Sequence, residues 1–375
     1  MLAALVAAAA IDGDAAFRAG NFAAAKSAYA AAIQANPHDL DAALGLTRIA
    51  IYANDMNDAE VWLGIAHALA PADPQVTADR ATIDERTNGS IDTVAPHRGP
   101  DVVPFLQTDP LPMVAVRVNG HDAHFLIDTG SPNITLDAGY AQSIGIATGN
   151  AAQGTFAGGK HATTMQAAVD RLELGSWTIA NVPATVVSLG GATMGMLHVD
   201  GVLGTGLFRH FLTTLDYRSG RLILDDRDAS GAFEQQASAH GATIVPMWLV
   251  GDHFVFVQGR ADDGPVGLFN VDTGGTFGVQ LTKDALDAAH ITPDASRPHG
   301  GMGPGGSVTV LPFTASVSVG AYTAGDLSGI YFVQGDQYGI FPFTVAGTVS
   351  HQFFHDTVLT FDFVAMRLVI ATRQI

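Results

Sequence analysis

Cysteine is absent from the 375 residues. Disulfides and a thiol nucleophile are therefore excluded, and the redox compartment stays open. Charge is sparse, at 14% of residues, and one-sided: 18 Lys and Arg stand against 36 Asp and Glu, a net charge of −18. That balance argues against nucleic acid as a partner, which needs a basic face, and chooses no substrate. The apolar stretch Met1 to Ala10 is too short to span a bilayer. It has the apolar and small-residue parts of a secretion signal without the positive leading region. Residues 1–11 are thus either a signal remnant or a helical lead-in. A periplasmic or secreted location is favoured, with a cytoplasmic one open. No serine lies in a G-x-S-x-G turn, so serine hydrolysis has no support.

What is present points elsewhere. Hydrophobic residues make up 47% of the chain and glycine occurs 42 times, enough apolar content for two or three domains and enough turns for mostly β-structure. One stretch recurs. Phe125-Leu126-Ile127-Asp128-Thr129-Gly130-Ser131 returns 144 positions later (272 − 128) as Phe269-Asn270-Val271-Asp272-Thr273-Gly274-Gly275. In each copy an apolar strand runs into an acid, a small hydroxyl residue and a glycine. The strand delivers a carboxylate into apolar surroundings, which is costly for a lone charge. Glycine lets the chain turn sharply there and keeps the approach open. Two such carboxylates facing each other can share one proton, because like charges a few ångströms apart cannot both ionise. A single Asp-Thr-Gly is explained by a surface turn. A pair that keeps its neighbours and its downstream pattern is not.

Residues 12–88 have a different texture, helical and Ala-rich, with an internal repeat of 34. Ala25 falls on Ala59 and Pro37 on Pro71 (59 − 25, 71 − 37). Small residues let paired helices approach closely, and proline ends the second helix of each pair. Period and residue types resemble tetratricopeptide repeats. Two repeats cannot make a long groove, so a helical cap or docking knob is favoured over a peptide-binding superhelix.

Residues 89–100 are rich in turn formers and read as a linker. Strands begin near Val102. Val114 to Val118 alternates, Asn119-Gly120 is a hairpin turn, and Ala123 to Ile127 returns to Asp128. A short helix is expected from Ala138 to Ile144. The Val199-to-Phe208 stretch, Asp216 and Arg221 reappear at a shift of 146 (347 − 201) as Gly347, Phe354, Asp362 and Arg367. The pattern divides the rest of the chain into lobes at 101–230 and 240–375, joined through 231–239.

With both triplets and their downstream partners in view, the chain resembles a retropepsin-type or pepsin-type aspartic protease over nearly everything after the linker. The resemblance implies a mainly β, two-lobed acid-protease fold behind the small helical domain, and an endopeptidase acting through a water held between Asp128 and Asp272. Thr129 and Thr273 would bond across the lobe interface, and Gly130 and Gly274 would keep the loops narrow. Ala157, Gly158 and Gly159 in one lobe, and Gly303, Pro304, Gly305 and Gly306 in the other, would form flaps over an extended peptide. Exposed hairpin turns are the rival explanation of those glycines, and flaps are favoured because their distance from the acid recurs in the second half. The family uses no cofactor, and no metal is expected. The partners implied are a peptide or protein substrate and a protein bound by the helical repeats. Because both triplets lie in one chain, a monomer with an internal pseudo-twofold is expected.

Two departures stand out. Ser350 replaces the glycine that Gly204 supplies in the first lobe, which puts close packing under the second loop in question. Ser131 after the first triplet is answered by Gly275 after the second. Ser131 can donate to Asp128 and favour its charged form, so Asp272 is expected to be the more readily protonated member, and the resemblance implies activity at mildly acidic pH. His351 and His355 have a metal-ligand spacing on a helix, but a half-buried helix face explains them more simply. His121 and His124 flank a hairpin and need only solvent. The rival from another class is a non-catalytic peptide binder using the same cleft and repeats. Two intact Asp-Thr-Gly triplets oppose it, since binding alone gives no reason for paired acids on apolar strands.

Overall fold

The computed structural model describes residues 12–89, 91–97, 99–190, 193–303 and 305–373. The stretch 1–11 and the flap candidate Pro304 lie outside them. Two compact units are present: residues 12–89 with Phe341–Thr344, and the remaining residues.

The helical unit displays the 34-residue period in its boundaries. Helix α1 covers Gly13–Arg18, α2 Phe22–Ala35, α3 Leu40–Tyr52, α4 Met56–Leu69 and α5 Pro74–Asn88. The start of α4 repeats that of α2, and α5 that of α3. The caps repeat too. Asn21 accepts from Ala24 N–H and Asp55 from Asp58 N–H, at 3.2 and 3.0 Å. Asp39 accepts from Ala42 N–H and Asp73 from Gln75 N–H. Each satisfies a backbone donor that the first helical turn leaves open. Ala25 and Ala59 are fully buried where the helices meet. Phe343 completes the aromatic core of this unit, with its ring centroid 5.1 Å from Phe22, 6.0 Å from Tyr52 and 6.2 Å from Phe17. Thr344 N–H donates to Arg18 C=O at 2.8 Å. None of the described helices is long and apolar enough to cross a membrane.

The β-rich unit is built twice from the same plan. In the first half, Met113–Val118 and His121–Ile127 form the hairpin, turning through Asn119 and Gly120, both at positive φ. Strand Gly201–Leu203 lies parallel to the returning arm, with Leu203 opposite Ile127. In the second half Gly267–Val271 is the arm and Val345–Val349 its parallel neighbour, with Val349 opposite Val271. A short helix follows each under-strand, Thr205–Phe208 and His351–Phe354. The helix expected after Asp128 spans Ala138–Ser143, and 231–239 lies in the helix Ser230–Ala239.

The halves meet through one sheet. It has 13 strands, and where the halves join the order runs Thr243–Val250, Arg367–Ala371, Val358–Asp362, Phe211–Asp216, Arg221–Asp226, Asp101–Pro104, the first three from the second half and the last three from the first. Leu215, Leu222, Leu359, Phe361 and Leu368 are fully buried there and belong to a core shared by both halves. Burying each such side chain contributes about 1.5–3 kcal/mol, so this sheet resists separation of the two halves.

Candidate active site

Each Asp-Thr-Gly loop leaves its strand at the point where the parallel under-strand ends. Asp128 N–H donates to Leu203 C=O at 2.9 Å, and Asp272 N–H to Val349 C=O at 3.1 Å. The first carboxyl is held by Gly130 N–H on Oδ1 at 2.8 Å and by Ser131 Oγ–H on Oδ2 at 3.1 Å. The second receives Gly274 N–H on Oδ1 at 2.9 Å.

The threonines point away from the acids and lock the loops together. Thr129 N–H donates to Thr273 Oγ1 and Thr273 N–H to Thr129 Oγ1, both at 3.1 Å. Each hydroxyl then donates to the opposite strand, Thr129 to Val271 C=O at 2.9 Å and Thr273 to Ile127 C=O at 3.0 Å. All four polar groups are paired in a buried setting, where a broken pair would leave an unsatisfied donor or acceptor.

This lock sets the two carboxyls side by side. A Cβ on Gly130 would lie 2.6 Å from Asp272 Oδ2, and one on Gly274 would lie 2.4 Å from Asp128 Oδ1. Only glycine leaves room for the opposite acid. Burial pushes the Asp272 carboxyl well above the usual carboxylate range. The charge of Asp128 and the hydrogen bond between the two carboxyls push the same way, against the N–H groups of Gly274 and Gly130. The Ser131 hydroxyl that donates to the first carboxyl has no counterpart on the second.

Other buried acids are spent on the fold. Asp216 accepts from Arg221 and from Ser219 N–H. Asp362 accepts from Ser230 Oγ–H and from the turn at Val364 and Ala365. Asp137 caps the helix that follows it.

Ser350 resolves the packing question raised by the sequence. Its hydroxyl oxygen accepts Gly275 N–H at 2.9 Å, and its proton is shared between the carbonyls of Asp272 and Gly275. In the first lobe a Cβ on Gly204 would come within 2.5 Å of Ser131 C=O, and in the second a Cβ on Gly275 would come within 2.7 Å of Ser350 Oγ. The serine and the glycine have exchanged places between the lobes. A side chain fits on one side of each contact only, so the two departures compensate.

The flap candidates occupy hairpin tips. Strand Thr148–Phe156 turns through Ala157, Gly158 and Gly159 into Lys160–Leu174. In the other lobe His299–Gly303 pairs with Gly306–Val319 across Gly305. The tips approach each other: a Cβ on Gly158 would lie 2.7 Å from Val308, and one on Gly305 2.3 Å from the Cβ of Lys160. Gly159 lies near Asp336 C=O, and Gly306 faces open space.

Sequence reasoning missed Tyr217. Its hydroxyl is buried with no hydrogen-bond partner, and burial together with the charge of Asp272 raises it far above its ordinary range. It follows the strand Phe211–Asp216 as an ordinary aromatic core residue would, which gives no signal in the sequence.

Comparison with known proteins finds two family models that match segments of the chain. Residues 114–207 match the aspartyl protease family model, and residues 16–81 match a tetratricopeptide repeat model. No curated protein matches the chain. Among solved structures it is similar to a retropepsin-like aspartic protease from Rickettsia conorii, at 18% identity and a TM-score of 0.25, over 36% of this chain and 93% of that one. It is also similar to an aspartic proteinase from Irpex lacteus, at 13% identity and a TM-score of 0.43, over 73% of this chain and 98% of the other. The basic 7S globulin from soybean aligns at 11% identity and a TM-score of 0.44, over 74% and 96%. By its matched segments and by the pairing of its two loops, the chain resembles a retropepsin-like aspartic protease preceded by tetratricopeptide repeats.

Proposed function

We propose that the chain is an aspartic endopeptidase in which Asp128 and Asp272 activate a water between them. The observation that carries this reading is the asymmetric pair itself: two carboxyls in contact, one accepting from Gly130 N–H and Ser131 Oγ–H, the other raised by burial and by its neighbour. Shared-proton pairs of this kind are known from aspartic proteases. Ionised Asp128 takes a proton from the water as its oxygen bonds to the peptide carbonyl carbon. Asp272 gives its proton to the carbonyl oxygen. The tetrahedral diol then returns a proton to Asp272, the amide nitrogen takes the proton held on Asp128, and the C–N bond breaks. The pair ends as it began, with one proton on Asp272.

The substrate would lie extended across the two loops, bonded through its main chain and covered by the hairpin tips at Gly158 and Gly305. The helical repeats suggest an interaction with protein. In this reading they recruit a protein substrate or partner while the chain works as a monomer.

A peptide-library digestion tests the reading. Cleavage should be blocked by pepstatin, and Asp128→Asn and Asp272→Asn should each lower turnover by about 10²–10⁴-fold or more with the circular dichroism spectrum unchanged. Near-wild-type turnover in either variant would exclude the dyad. Saturable peptide binding without cleavage at any pH would favour the non-catalytic binder.

A further inference from the structure

The helix behind the second loop carries a cluster that peptide hydrolysis does not use. Asp109, on the segment leading into the first hairpin, reaches across 242 residues of chain to His351. Asp109 Oδ1 lies 3.1 Å from His351 Nε2, and Oδ2 lies 3.2 Å from His355 Nε2. One potential ligand atom from each of the three residues lies within 4.8 Å of the others. We propose that Asp109, His351 and His355 bind a divalent transition-metal cation of the zinc type, tying the first-half segment to the second-half helix.

The distances fit that chemistry. Ligand atoms about 2.0–2.1 Å from a tetrahedral zinc stand about 3.3–3.4 Å from one another, close to both separations from Asp109. Two imidazoles and one carboxylate select zinc, cobalt, nickel or copper over magnesium or calcium, which require oxygen donors. The three protein ligands leave a coordination position for water.

The surroundings fit as well. Asp356 Oδ1 lies 3.4 Å from His355 Nδ1, the side on which metal-bound histidines usually meet a carboxylate that fixes their orientation. His351 is 1% exposed and its Nδ1 has no hydrogen-bond partner. Asp109 is therefore the polar tie that holds its Nε2 toward the cluster. The Asp109 and His355 side chains are 66% and 43% exposed, which gives an ion a path in from solvent. One carboxylate and two neutral rings leave a bound dication with a surplus positive charge, which the net charge of −18 favours.

The full chain, dialysed against a chelator and then titrated with Zn²⁺ alone, decides the matter. One Zn²⁺ per chain should bind and raise the unfolding midpoint, because the ion binds the folded arrangement. Co²⁺ in its place should give the visible absorption of a four- or five-coordinate site. Asp109→Ala and His355→Ala each change an accessible side chain. With folding checked by circular dichroism, each should weaken Zn²⁺ binding by at least about tenfold, the least that loss of a direct ligand should cost. Where an alanine variant loses structure, Asp109→Asn, which keeps the shape and removes the charge, reads out the same loss. The proposal fails if Zn²⁺ leaves the midpoint unchanged. It fails equally if folded Asp109 and His355 variants bind as the parent does. In either case the cluster is a carboxylate bridging two histidines by hydrogen bonds.

Discussion

Thr214 and Thr360 face each other across the central sheet with their hydroxyl oxygens 2.7 Å apart. They are equivalent residues of the two halves and are paired directly in the sheet register, while Leu212 pairs with Asp362 and Asp216 with Val358. The pairing joins strand Phe211–Asp216 of the first half to strand Val358–Asp362 of the second. Both strands are buried on both faces, so a slip of one residue would exchange the side chains packed on either side of the sheet.

The glycines of the triplets are the most sensitive positions next to the acids. Gly274→Ala would drive a methyl group to 2.4 Å from Asp128 Oδ1, and Gly130→Ala would do the same to Asp272 Oδ2 at 2.6 Å. Each should cost about 1–3 kcal/mol of stability and abolish turnover by separating the carboxyls. Chemical denaturation and steady-state cleavage read the two effects separately. An alanine variant with parental activity would contradict the contact between the acids.

Stability should fall across the pH range in which Asp272 ionises. Its folded-state carboxyl is raised, so the native chain holds a proton that the unfolded chain releases near pH 4. The contribution is fully present below that value and is lost as pH rises through the raised folded value. The unfolding midpoint of the parent should thus decline over that interval relative to Asp272→Asn, which carries no proton there. Parallel midpoint–pH curves for the two proteins would show that Asp272 is not raised.

Ser131 and Ser350 should act differently although each supports one loop. Ser131→Ala removes the hydroxyl donor to Asp128 Oδ2. It should lower turnover at fixed pH by about two- to tenfold with the fold intact, the worth of one hydrogen bond, read by steady-state cleavage. The reciprocal change Gly275→Ser is not a clean test, because its Cβ would meet the Phe277 ring at 2.5 Å and Ser350 Oγ at 2.7 Å. Combined with Ser350→Gly it should be less damaging than the two single changes suggest, with a coupling of about 0.5–3 kcal/mol in a double-mutant cycle. Strict additivity would refute the exchange of serine and glycine between the lobes.

Phe343→Ala should loosen the helical unit, since the ring is 6% exposed among Phe17, Phe22 and Tyr52. Hydrogen exchange in helices α1 to α3 should rise, with a loss of about 3–5 kcal/mol. Removing residues up to Pro100 to isolate the β-rich unit would strip Phe343 of the same partners. A truncation therefore needs a polar residue there to stay soluble. Unchanged exchange in Phe343→Ala would mean that the ring does not hold this core.

Local signals in the chain determined the helical repeat, the hairpins and the identity of the paired acids. Caps such as Asp39 and Asp73, the Asn119-Gly120 turn and the strand-Asp-Thr-Gly order act over a few residues, so they are written in neighbouring positions. The 34-residue and 146-residue shifts could be read because duplication copies those local signals. Everything that depends on which segments meet was decided by tertiary structure. Ser350 looked like a packing defect until its hydroxyl was found against the loop of Gly275, and Asp109 had no motif until the fold carried it to His351 and His355. Phe341–Thr344 joins the helical unit from far along the chain, with no periodicity to announce it. The raised state of Asp272 likewise comes from burial and a neighbour 144 residues away. Such effects depend on distance in space, which the order of residues does not record.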